Sequence, residues 1–146
     1  MPMLHDPSVL SSIRSRVQSL TPSSTRRWGK MSVDQMLWHC NQVLGTSLGD
    51  VAVEPRRPPF PVPMLKFMLF KLPWPRGAPT APEYQAADPC VFDTERKKCL
   101  DLIERFAARN IDHENWPRAV FGPLTGREWS QLQARHLDHH LKQFSA

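Results

Sequence analysis

Residues 125–144 read TGREWSQLQARHLDHHLKQF, and this segment decides the fold because it has the start, the face and the length of a packed helix. Thr125 and Glu128 form a capping box, in which each side chain bonds the backbone N–H of the other residue. Bulky side chains then recur at helical spacing. The predicted inward face consists of Trp129, Leu132, His136, His139 or His140, and Gln143.

Three more segments, residues 6–21, 32–49 and 93–109, also predict helices. The first begins with an Asp-Pro pair, which suits a first helical turn, and the second begins with a Ser-Gln capping box. Gly45 and Gly49 weaken the end of the second helix. The predicted inward faces are Leu10, Ile13, Val17 and Leu20 in the first helix, Met36, His39 and Val43 with Leu44 beside them in the second, and Leu100, Ile103 and Phe106 in the third.

The connection over residues 51–90 is rich in proline and unusually long. It contains a short apolar helix, predicted from about Met64 to Leu72. Its apolar residues are too continuous for an amphipathic stripe and too few for a membrane span, so we interpret it as a lid over the other helices. Lys66 and Lys71 are then expected in solvent, while the side chains between them face inward. The alternative interpretation is a helix that lies on a membrane surface.

The fold class predicted from these segments is all-α, because no strand pattern competes with the helices. We expect a single domain over residues 1–146, a length that suits one buried core. Its architecture is predicted to be a four-helix bundle. The long proline-rich connection, with its short extra helix, lies between helices two and three.

Composition narrows the class of protein. The 19 Lys and Arg residues against 14 Asp and Glu give a net charge of +5 that is spread along the chain, so we expect no nucleic-acid partner. The nearest basic cluster, Arg26–Lys30, is interpreted as a solvated loop. Cys40, Cys90 and Cys99 lack CxxC spacing and fit reduced thiols in the cytoplasm. No stretch resembles a secretory signal or a membrane span, so we expect a cytoplasmic location and no membrane partner.

The most informative feature is the cluster of three histidines within residues 136–140, out of six in the chain. Residues four apart on a helix lie one turn above each other, about 5–6 Å apart, so His136 and His140 can bind one metal ion. His139 is also a neighbour of His136, and spacing alone does not choose between His139 and His140. His39 is the natural third ligand, because it lies on the predicted inward face of the second helix.

A plainer interpretation is that these histidines only form hydrogen bonds in the core. His5 and His113, which lie in terminal and loop segments without partners, are expected to be ordinary surface residues. Cys40 follows His39 but points about 100° away around the helix, so it is expected in the core. Asp34 and Asp138 are on the right helices but off the histidine faces, so the catalytic residues remain unassigned.

Three segments carry a resemblance to a known family: RWGKMSVDQMLWHC at 27–40, KLPWPRGAPTAPE at 71–83, and FGPLTGREWSQLQARHLDHHLKQF at 121–144. Together they resemble the DinB/YfiT-like superfamily of metal-dependent helical bundles, and most closely domain-of-unknown-function family 1569. The resemblance runs from about Trp28 to Phe144. It implies a four-helix bundle with a metal site.

In that superfamily one histidine of helix two and two histidines of an HxxxHxxQ motif on the last helix bind the metal. The resemblance therefore implies His39, His136 and His140 as ligands, with Gln143 completing the motif and His139 as a neighbour. Three imidazoles suit Zn²⁺, Ni²⁺, Fe²⁺ or Mn²⁺. An open fourth position is the layout of a catalytic site rather than a closed structural one.

The resemblance also implies a class of function. Related bundles include thiol-dependent S-transferases and a mycothiol-dependent isomerase, so we expect a metal-dependent transferase or hydrolase-like enzyme with a small-molecule or thiol substrate. A low-molecular-weight thiol is then a second expected cofactor, and a homodimer is an expected assembly. The alternative is a metal-binding or stress-response bundle protein without catalysis.

Overall fold

The computed structural model describes residues 1–78 and 80–146. In these residues the chain forms five α-helices, one short 3₁₀ helix at Pro82–Tyr84 and no strand. The α-helices are α1 Pro7–Ser19, α2 Val33–Ser47, α3 Val62–Lys71, α4 Phe92–Ala108 and α5 Gly126–Gln143. The predicted all-α class is confirmed, and each of the five predicted helices is present.

The ends of the helices differ slightly from the prediction. The first helix ends at Ser19, before the predicted Thr21-Pro22, because Leu20 adopts an extended conformation. The short helix begins at Val62, earlier than predicted, because prolines are well suited to its first turn. Both predicted capping boxes are present.

The four helices α1, α2, α4 and α5 pack against one another, and α3 lies against α5. The largest contact is between α2 and α4, while α1 packs against α4 and α5, and α2 also packs against α5. α3 contacts only α5 among the helices. Most of the residues of α2 are buried, since other helices cover it on several sides. The fully buried large side chains at the centre include Leu44, Ile103, Phe106, Trp129 and Leu141.

The predicted inward faces are largely confirmed, but Leu10, Leu100 and Leu132 are only partly buried. On α4, Cys99 and Leu102 take the place of Leu100 in the core. Cys40 lies in the core, as predicted. Burial raises the pKa of the Cys99 thiol to about 12, and all three cysteines are free. These buried thiols act as small apolar groups rather than nucleophiles.

α3 is attached to α5 through Arg135. The Arg135 guanidinium donates hydrogen bonds to the carbonyls of Leu69, at 2.6 Å, and of Leu72. It also lies over the ring of Trp74, whose indole N–H donates to the Leu69 carbonyl at 2.9 Å. A cation at the C-terminal end of a helix bonds carbonyls that lack partners within that helix. Arg135 thus holds α3 beside the last helix.

The apolar residues of α3 point in two directions. Phe70 is buried, whereas Phe67 is 55% exposed, so the expectation that the side chains between Lys66 and Lys71 face inward is wrong for Phe67. Met64 is also exposed, at 50%. Lys66 is not free in solvent, because it forms an ion pair with Glu128 at 3.0 Å. The expected homodimer stays a prediction. No helix in the described part of the chain combines the length and the apolar character that crossing a membrane requires.

The Thr125 cap gives a direct test of the α5 start. Its hydroxyl accepts from the Glu128 N–H at 3.1 Å, and the Glu128 carboxylate accepts from the Thr125 N–H at 3.0 Å. Thr125→Ala should lower the free energy of unfolding by about 1 kcal/mol, because it leaves a helical N–H without its partner. Thr125→Ser keeps the hydroxyl and should stay close to the wild type in urea unfolding. Equal stabilities of the two variants would contradict this description of the cap.

Candidate metal centre

Three histidine rings meet where α2 and α5 pack together. His39 comes from α2, and His136 and His140 lie one turn apart on α5. Their ring centroids are 4.9, 4.8 and 4.7 Å apart, and their candidate ligand atoms all lie within 4.8 Å of one another. The ring planes meet at 62°, 75° and 84°, so the rings approach one point from three directions. The structure therefore brings together the three histidines that were predicted as ligands.

The 3₁₀ helix sets the orientation of His39. Nδ1 of His39 donates to the backbone carbonyl of Tyr84 at 2.7 Å. Since a carbonyl only accepts hydrogen bonds, Nδ1 carries the proton and Nε2 has the lone pair, which can accept a hydrogen bond from Nε2 of His136 or bind an ion. The Tyr84 hydroxyl in turn lies 2.8 Å from that of Thr46 on α2. Tyr84 therefore holds the ring of His39 in a position that suits a ligand.

A chain of hydrogen bonds sets the orientation of His140. The side-chain NH₂ group of Gln143 donates to the Trp28 carbonyl at 2.9 Å. This bond directs the side-chain oxygen of Gln143 toward His140. Nδ1 of His140 donates to that oxygen at 2.8 Å. The proton of His140 is thus on Nδ1, and its Nε2 also has a free lone pair. A backbone or amide oxygen behind a ligating histidine fixes its tautomer in the same way at metal sites.

His136 is held differently. Its Nε2 lies 2.9 Å from Nε2 of His39, and its Nδ1 is buried without a hydrogen-bond partner among the described residues. Buried side-chain nitrogens usually have a hydrogen-bond partner, and Nδ1 of His136 is an exception. The 2.9 Å between the two Nε2 atoms is a hydrogen-bond distance. It also fits two nitrogens about 2.0–2.1 Å from one ion when their bonds are at right angles.

Burial keeps the three imidazoles neutral. It lowers the pKa of His39 and lowers that of His136 well below the ordinary value, with the neighbouring histidines adding to the effect on His136. The pKa of His140 falls to about 3, mainly through burial. Neutral imidazoles are the form that binds metal ions, because protonation removes the lone pair. Three neutral imidazoles this close together could hold one metal ion.

The cluster lies at the base of a pocket of about 480 Å³. The loop before α2, the inner side of α3 and the segment after α3 form the walls. Besides the histidine cluster, the residues that line the pocket include Trp28, Lys30, Met31, Leu65, Met68, Leu69, Trp74, His139 and Gln143. α3 thus forms one wall of the pocket, and the predicted lid lies beside the site.

His139 lines the pocket but is outside the cluster. Its ring packs between two indoles, with centroids 5.7 Å from Trp28 and 5.6 Å from Trp74. Among the described residues, no carboxylate lines the pocket. Asp138 pairs with Arg16 and Lys142. An acidic general base is therefore not present at this site in the described part of the chain.

A comparison with models of known protein families identifies the family of this chain. A family model described as a protein of unknown function, DUF1569, matches residues 6–146. The chain belongs to the DUF1569 family. Neither the comparison with curated proteins nor the comparison with solved structures finds a match. The DUF1569 match includes all five helices and hence every residue of the histidine cluster.

Several residues of this DUF1569 site were missed in the sequence. Tyr84 acts through its backbone carbonyl, which residue type does not reveal, although it is the one tyrosine of the chain. Trp74 lies within the KLPWPRG segment, where the residue pattern gave no sign that this indole lines the pocket. His5 is not an ordinary surface residue, because its ring bonds Ser130 Oγ at 2.8 Å and donates to the Arg109 carbonyl at 2.9 Å. His113 is exposed, as predicted.

The hydrogen bonds predict the tautomers of the DUF1569 histidines in metal-free protein. Long-range nitrogen–proton NMR correlations at neutral pH should show His39 and His140 protonated on Nδ1, because each Nδ1 faces an oxygen acceptor. His113 is the internal control: its Nδ1 accepts the Asn115 N–H at 3.1 Å, so its neutral form should carry the proton on Nε2. Protonation of His39 or His140 on Nε2 would contradict the orientation described here.

Proposed function

We propose that this protein binds one divalent transition-metal ion through His39, His136 and His140. The observation that carries the proposal is the convergence of three buried, neutral imidazoles, two of which have their Nδ1 protons bonded to oxygen acceptors. The resemblance to the DinB/YfiT-like superfamily and its HxxxHxxQ motif supports the same three ligands. Zn²⁺, Ni²⁺, Fe²⁺ and Mn²⁺ all suit three imidazole ligands.

The pocket leaves the histidine cluster accessible to small molecules. Three protein ligands leave coordination positions for a small molecule, and the cluster is at the base of the pocket instead of being enclosed in the core. When bound, such an ion supplies Lewis acidity that lowers the pKa of a thiol or water. Tyr84 and Gln143 hold two of the ligands, while Trp74 and the inner side of α3 limit the access of water.

The reaction class that we propose is the transfer of a low-molecular-weight thiol to an electrophile. The thiol sulfur forms a bond to an electrophilic carbon as the bond from that carbon to its leaving group breaks, and the thiol proton passes to solvent. Support for this class comes from the resemblance to DinB/YfiT-like proteins, which include thiol-dependent S-transferases. The absence of an acidic base among the described lining residues favours activation of the thiol by an ion over activation by a carboxylate.

The metal proposal predicts the metal content of histidine variants. Protein purified without an affinity tag should contain close to one transition-metal ion per chain by elemental analysis. His39→Ala and the double variant His136→Ala/His140→Ala should lose the ion, because each change removes ligands from the cluster. His139→Ala is the matched control and should keep most of it, since that ring packs between two indoles. Full metal content in the double variant would rule out the assignment.

The thiol proposal predicts a metal-dependent reaction with a reporter electrophile. Monochlorobimane should form its fluorescent thioether with cysteine, glutathione or mycothiol faster in the presence of the metal-loaded protein. The rate should fall to the uncatalysed level after the ion is removed and in the His136→Ala/His140→Ala variant. A protein that keeps its ion but accelerates none of these reactions would support the alternative role of metal binding without catalysis.

A further inference from the structure

We infer that the pocket takes a small molecule with an apolar, partly aromatic body and an anionic group, and that this group lies at the pocket mouth near Lys30 and Arg76. The inference rests on the proposed function, because it names the class of substrate for the same site. It is carried by three observations: the chemistry of the walls, the unpaired positive charges at the mouth, and the absence of carboxylates from the described lining residues.

The walls suit an apolar or aromatic body. Two indole rings, those of Trp28 and Trp74, stand beside His139, and the side chains of Leu65 and Met68 line the pocket from α3. The volume of about 480 Å³ lies in the range of about 300–1,000 Å³ that is usual for sites of small organic molecules. Indole faces and a thioether make favourable contacts with flat rings. A small inorganic ion would leave most of this space unfilled.

Positive charge at the mouth has no partner in the described part of the chain. Lys30 lines the pocket and forms no ion pair there. The Arg76 guanidinium lies 4.6 Å from the ring centre of Trp28, and no carboxylate bonds it. Both side chains are exposed. Arg76 is not itself a lining residue, but its neighbours Pro75 and Gly77 line the pocket. Both cations can therefore pair with a bound anion without breaking an ion pair, and Arg76 would leave the ring of Trp28 to do so.

The nearby carboxylates are already engaged elsewhere. Glu83, beside the tyrosine of the 3₁₀ helix, pairs with Arg56 at 2.8 Å. Asp138, beside His139 on α5, pairs with Arg16 and Lys142, both at 2.9 Å. Neither carboxylate lines the pocket. The mouth therefore has a positive local charge, which attracts an anion and disfavours a cation.

The anionic group is assigned to the mouth because the base of the pocket consists of the histidines. A group held by Lys30 and Arg76 leaves the inner end of the molecule free to reach the histidine cluster. An exposed cation–anion contact changes affinity by up to about fivefold, so two such contacts support an advantage of about tenfold.

A pair of fluorescent probes tests the inference. 8-Anilinonaphthalene-1-sulfonate and N-phenyl-1-naphthylamine have the same aromatic body, but only the first carries a sulfonate. Both are titrated at low salt, with energy transfer from tryptophan as the signal. The sulfonate probe should bind about tenfold more tightly. Lys30→Gln/Arg76→Gln should remove this advantage and leave the affinity of the neutral probe unchanged, which also shows that the pocket is intact.

Two controls separate the mouth from other surfaces. Arg57→Gln/Lys97→Gln removes the same net charge from exposed residues outside the pocket lining, and it should keep the advantage of the sulfonate. Phe67→Ser removes the most exposed apolar side chain of α3, and it should also have no effect on either probe.

The outcomes distinguish this inference from the metal proposal, because the metal content of each sample is measured separately. Equal affinities of the two probes, or an advantage that survives in Lys30→Gln/Arg76→Gln, would overturn the inference even if the protein holds its ion. An advantage that survives in that variant but disappears when the ion is removed would place the anionic group on the metal instead. If no ion is bound and the mouth variant still loses the advantage, the inference stands and the metal proposal fails.

Discussion

Gln133 joins α5 to α2 in the buried core, and the register that it sets determines which side chains meet. Its amide donates to the Val43 carbonyl at 3.1 Å and lies 3.2 Å from Ser47 Oγ. Moving one turn forward along α5 and one turn back along α2 leads to His136 and His39, whose Nε2 atoms are 2.9 Å apart. Only the NH₂ group of this amide has partners, because Oε1 of Gln133 is buried without one among the described residues. The two bonds of the NH₂ group would be lost in another register of the two helices, so they favour this one.

The histidines at this contact between α2 and α5 lower the stability of the folded protein. Neutral imidazoles replace apolar side chains at the centre of the helix pair, and Nδ1 of His136 is buried without a partner among the described residues. An unpaired buried polar group costs about 1–3 kcal/mol. Departures from a well-packed apolar core usually occur where a protein has a functional site. Two segments outside the α-helices support the cluster, the 3₁₀ helix through the carbonyl of Tyr84 and the loop before α2 through the carbonyl of Trp28.

Local signals in the sequence predicted most of the fold. Capping boxes and helical spacing involve neighbouring residues, so they indicated the main helices and the positions of His136 and His140 on one face. The inward face of α2 indicated His39. Spacing alone did not separate His139 from His140, and the resemblance to a known family was needed to favour His140. The DUF1569 part of that resemblance is confirmed by the family match over residues 6–146.

The missed features depend on tertiary structure. Backbone carbonyls, such as those that fix His39 and His140, have no signature in residue type. The exposure of Phe67 could not be predicted because α3 is apolar on nearly every side and lacks a polar face that would orient it. His5 depends on contacts with Ser130 and Arg109, which are more than a hundred residues away. Such contacts become visible only when the packing of the helices is known.

The central claim is that one metal ion sits among three particular nitrogens, and anomalous X-ray diffraction from crystals of the untagged protein tests it most directly. Data should be collected on both sides of the absorption edge of the metal. One anomalous peak should be strong above the edge and weak below it. We predict that this peak lies about 2.0–2.2 Å from Nε2 of His39, His136 and His140, with no contact to His139. A metal peak elsewhere, or an ion bound through His139 in place of His140, would contradict the account.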